Sequence, residues 1–164
     1  MVKIESPRLV FDPTTLNRSP MGTRTGVVYF EFDNNYFPSR NWTDLAPDFV
    51  FAWLHGLIRL ASGQSVSEDV SFMDGPYVVK LTGLASDRCE ICFLEDRPRA
   101  KIEHGRVVTS CKALLEDAVS VMAVVQQRCH QDGWEVNPKQ VIAELTEARK
   151  LLWKANTDTD KIKS

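Results

Sequence analysis

"GVVYFEFDNNYFPSRNWTDLAPDFVFAWLHGLIRLASG", residues 26–63, sets a strand pattern next to a helix pattern, and the fold turns on how one passes into the other. In Gly26–Asp33, Val28, Phe30 and Phe32 share one face of an extended chain while Val27 and Tyr29 begin the other. Apolar residues on both faces mark an interior strand whose end emerges at Glu31 and Asp33. Beyond Trp42 the period changes. Leu45, Phe49, Trp53, Leu57 and Leu60 recur at helical spacing, and Val50, Leu54, Ile58 and Ala61 widen the stripe. Thr43 or Asp44 is the expected N-cap, Pro47 sits in the tolerated first turn, Asp48 complements the helix dipole and Gly63 stops the helix.

Upstream, "RLVF" reads as an edge strand that Pro13 would end. Downstream, Val70 and Phe72 alternate before a turn at Met73-Asp74-Gly75-Pro76, and Tyr77 to Leu81 resume the extended pattern. "DRCEICFLED" puts Cys89, Ile91 and Phe93 on one face, and "RAKIEHGRVV" reads as a hairpin turning at His104-Gly105. Links this short make antiparallel neighbours. Two helices follow. One is capped at Thr109 or Ser110, stops at Gly133 and buries Leu114, Leu115, Ala118, Val121, Met122, Val125 and Cys129. The other has Asn137 as N-cap, Pro138 at its first position and Gln140 completing a capping box, with Val141, Leu145, Ala148, Leu152 and Trp153 on its apolar face. The expected class is α+β: a mostly antiparallel sheet of four to five strands, packed by one helix after the first strand and two C-terminal helices. Residues 1–155 form a single domain in this reading, and 156–164 a polar, frayed tail.

With 43% hydrophobic and 26% charged residues in 164, the chain can bury one genuine core. No apolar run reaches the roughly 20 residues of a membrane span. "MVKIESPRLVFD" lacks the apolar centre of a secretory signal, so a cytoplasmic location is expected. The formal charge of −2 is unevenly spread. Between Glu31 and Asp74, seven acids face Arg40 and Arg59, a net of −5; between Arg97 and Lys112, five bases face Glu103, a net of +4. The basic run carries no Phe, Tyr or Trp and the pI is near 5.9, which argues against nucleic acid. The first helix carries Arg59 as its single base, which argues against a membrane surface.

Residue chemistry alone assigns no reaction. Cys89-x-x-Cys92, completed by His104 or Cys111, would make a zinc-stabilised regulatory module. On a strand, however, residues three apart face opposite ways, and "CEIC" lacks the Gly, Pro or Asn of a zinc knuckle. The favoured reading is small buried thiols in a reducing compartment, with no cofactor. Asp33, Asp44, Asp74 and His55 could together serve a small metal-dependent hydrolase, yet Asp44 reads as a cap and Asp74-Gly75 as turn chemistry. His130 lies where a helix C-terminus favours a cation. No nucleophile elbow, HExxH or Gly-rich phosphate loop is present. The expectation is a protein that is not an enzyme.

Two short motifs carry a resemblance: F-P-x3-W-x-D (Phe37, Pro38, Trp42, Asp44) and F-M-D-G-P-Y (Phe72 to Tyr77). Over residues 30–93 the chain resembles small bacterial α+β proteins of polymorphic toxin and contact-dependent inhibition loci, which serve as immunity proteins. The resemblance implies an inhibitor that binds a cognate toxin and blocks its active site or its assembly. A basic toxin domain would suit the acidic run. The implied contacts are Glu31, Asp33, Tyr36, Trp42, Asp48 and Asp74, with Trp and Tyr the residue types that dominate hot spots.

Overall fold

The computed structural model describes residues 6–134 and 138–162. Strands β1 (Arg8–Arg18), β2 (Arg24–Phe32), β3 (Asn35–Phe37) and β4 (Thr43–Asp44) lead into α1 (Ala46–Ala61). Strands β5 (Ser67–Ser71), β6 (Tyr77–Gly83), β7 (Arg88–Arg97) and β8 (Ala100–Ser110) follow, then α2 (Cys111–Gln131) and α3 (Pro138–Ile162). The class is α+β, and all strand pairs are antiparallel. The strands divide between two four-stranded sheets: β1-β2-β3 with β4 also on β2, and β5-β6-β7-β8.

Phenylalanines join the sheets. Phe32 of β2 stacks on Phe93 of β7 at 4.2 Å, and Phe30 and Phe37 approach the same ring at 5.4 and 5.2 Å. Helix α1 closes this core with Trp53 at 4.8 Å from Phe30 and Phe49 stacked on Phe72 at 4.0 Å. All seven rings are buried. Each is worth about 2–3 kcal/mol in surface removed from water, which makes this cluster a large contribution to the core. Helix α2 packs on α1 and β1, and α3 packs on α1 and α2.

Three local expectations change. Pro13 does not end β1. The ladder pairs Asp12 with Val27, resumes at Asn17 with Thr25, and lets Pro13 ride in the bulge between. There the Thr15 hydroxyl accepts from Val27 N at 2.8 Å, replacing a ladder bond that the bulge removes. Second, His104-Gly105 is not a hairpin turn. The chain reverses between Arg97 and Ala100, and β8 runs through with His104 as the bulged residue opposite the Phe93–Leu94 step. Gly105 is needed for close approach, since a Cβ there would lie 2.5 Å from the Phe32 ring. Third, Trp153 is 73% exposed, because Val141, Leu145 and Ala148 already supply the buried face of α3. Leu152 is half-buried and α3 continues to Ile162. The Asn137 cap lies outside the described residues. Ser110 does cap α2, accepting from Ala113 N, and Gly133 follows its end at φ +74°.

Candidate functional site

Asp44 is not the N-cap of α1. Leu45 holds that position without a side-chain bond, with Pro47 and Asp48 in the first turn as expected. The Asp44 side chain is buried and serves a longer reach. Its Oδ1 accepts from Leu45 N at 2.7 Å and Met73 N at 3.1 Å; its Oδ2 accepts from Trp42 Nε1 at 3.1 Å and Asp74 N at 3.0 Å. One carboxylate therefore clamps the start of α1 to the β5–β6 turn. Gly75, at φ +75°, completes that turn where a Cβ would meet the Tyr77 ring at 2.8 Å. Trp42 stands edge-on to Tyr77 at 5.1 Å, half-buried. The turn thus presents Asp74 and Met73, the latter 62% exposed, beside the open edge of Trp42.

The six expected contact residues fall into three places. Trp42 and Asp74 meet at the clamp. Glu31 and Tyr36 are cross-strand partners on β2 and β3, Glu31 paired with Arg8 at 3.0 Å and Tyr36 under Arg40 at 5.6 Å. Asp33 forms the turn between those strands, at φ +45°. Asp48 lines a separate recess with Met21 and Arg24. The acidic run is thinner at the surface than in sequence: Asp44 is buried, Glu31 is paired, and Glu68 binds Arg59 at 2.6 Å. The Ser65 hydroxyl, and then Arg59, hold the Glu68 carboxyl below the usual range. Asp33, Asp48, Asp69 and Asp74 remain exposed, with no ion pair among the described residues. Three of the five bases of the basic run are paired, Arg97 with Glu95, Arg106 with Glu90 and Glu103, and Lys112 with Glu116.

The hydrolase set does not assemble. His55 bonds Glu144 of α3 at 2.7 Å, and both Asp44 oxygens are occupied by the clamp donors. The cysteines pair unexpectedly. Cys89 and Cys111 form a disulfide with Cα atoms 5.4 Å apart, joining β7 to the first turn of α2, so they are neither zinc ligands nor free thiols. Cys92 points the other way and donates to Glu103 Oε1 at 3.1 Å; burial, then that carboxylate, pushes its thiol up to about 11. No group of three or more His, Cys, Asp and Glu suited to a metal occurs among the described residues. No helix of the described residues is long and apolar enough to cross a membrane.

Sequence reasoning missed Met73 and Tyr77 as parts of the presented edge. Both lie within F-M-D-G-P-Y, and the alternation of Phe72 inward had already turned Met73 outward. It also missed Glu95, a buried carboxylate held by Arg97 and by His104 Nε2 at 2.8 Å. No family model, curated protein or solved structure matches the chain.

Proposed function

We propose that the chain acts by binding another protein, as an immunity protein that neutralises a bacterial toxin. The observation that carries this reading is the Asp44 clamp. It commits the most buried acid of the opening stretch to architecture, and it holds Trp42, Met73 and Asp74 in fixed relation. A preorganised aromatic edge with an acid beside it is the kind of surface that binds at low entropic cost. The unpaired Asp33, Asp48 and Asp74 would steer a basic toxin domain and set its on-rate.

The test begins with the neighbouring reading frame. A toxin encoded there should kill cells alone and spare cells that co-express this chain. Charge reversal of Asp33, Asp48 and Asp74 to Lys should weaken the complex at least tenfold while leaving the fold intact. Undiminished rescue by the triple variant would remove the contact assignment. Killing that wild-type protein does not relieve would remove the function.

A further inference from the structure

A second site lies away from the clamp. The C-terminal end of α1, the β6–β7 turn, the first turn of α2 and the distal half of α3 enclose an open cleft of about 620 Å³, within the size range of small-molecule sites. Leu60, Leu115 and Leu151 give it an apolar floor. Arg88, Lys150 and Lys154 stand at its rim without ion pairs among the described residues, and Lys112 bridges its walls by donating to Asn156.

Three acids, Asp87, Glu147 and Asp158, line the cleft beside these cations. Asp87 holds the start of α2, its Oδ1 accepting from Lys112 N at 3.1 Å and its Oδ2 from the Ser110 hydroxyl. With Asp87 still charged, the lining sets Asp87, Glu147 and Asp158 against four bases, a net of +1, and Lys112 also lies 3.9 Å from Glu116. The helix terminus is already satisfied by Asp87, so the attraction left for an anion is that of the side chains. A greasy floor below a rim where Arg88, Lys150 and Lys154 carry no ion pair among the described residues suits an apolar body ending in a negative head.

We propose that this cleft binds an amphipathic anion, a ligand with an aliphatic body and a carboxylate head, the body on Leu60, Leu115 and Leu151 and the head between Arg88, Lys150 and Lys154. The site is independent of toxin binding. The disulfide fixes its inner wall, since Cys111 lines the cleft and Cys89 holds it to β7.

Titration of the full chain with dodecanoate, below its micellar concentration, is the test. The expected result is saturable 1:1 binding, at least tenfold weaker for dodecanol and at least tenfold weaker for Lys150→Gln/Lys154→Gln. Both lysines are exposed, so the variant should keep its fold, checked by circular dichroism. Methyl NMR should show dodecanoate shifting Leu60, Leu115 and Leu151. Absence of saturation, equal affinity for acid and alcohol, an unaffected double variant, or shifts confined to other methyls would each overturn the assignment.

Discussion

At the scale of the residue, Asp44 decides most. Four donors converge on a buried carboxylate, two of them backbone amides of the β5–β6 turn. Asp44→Ala strands those donors, and the expected loss is about 3 kcal/mol, read from urea denaturation. A loss below about 1 kcal/mol would mean the clamp is dispensable. Local sequence could not reveal this role. An Asp ahead of a helix reads as a cap, and the partners that outbid the cap lie 29 and 30 residues away. Trp153 illustrates the reverse. Its exposure follows from the 141, 145, 148 spacing of the buried face, which was legible, and from which residue 153 departs.

At the scale of the element, β8 shows how packing overrides turn chemistry. His104-Gly105 has the composition of a turn, but the glycine is there to admit the Phe32 ring. Gly105→Ala should cost about 1–3 kcal/mol, because Phe32 is stacked on Phe93 and has little room to yield. A thermal melt unchanged from wild type would contradict that. The bulge also brings His104 to Glu95. His104 first, then Arg97, holds the Glu95 carboxyl below the usual carboxylate range. A depressed native pKa stabilises the fold above the unfolded value of about 4.3, and that contribution disappears as pH falls through the native value. Glu95→Gln should therefore be destabilising near neutral pH, and its deficit relative to wild type should shrink on acidification. A deficit independent of pH would sink the pairing. The buried faces of strand β2 and helices α1 and α2 were largely legible, because one strong periodicity set each, but the start of α1 at Leu45 was not. The bulges were not: that of β8 answers to the Phe32 ring on the other sheet, and that of β1 holds Pro13 off the ladder.

At the scale of the molecule, phenylalanines join the two sheets, and one covalent tie joins β7 to α2. Cys89 and Cys111 were invisible as a pair because only the β7–β8 register, which sets Cys89 against Thr109, brings them together. Their separation of 22 residues implies about 3 kcal/mol of stabilisation from loop closure. Reduction should lower the urea midpoint accordingly, and a Cys89→Ala/Cys111→Ala variant should no longer respond to reductant. The same architecture that fixes the core also fixes the edge presented by Trp42, Met73 and Asp74, which is why function is proposed as binding. The most direct test is calorimetric titration of the product of the neighbouring reading frame, expressed as a toxin domain, into wild-type protein and into Asp74→Lys. A 1:1 complex with wild type, weakened at least tenfold by Asp74→Lys at unchanged melting temperature, is the expected result. No heat of binding with wild-type protein, or equal affinity for the two, would contradict a recognition surface built on the Asp44 clamp.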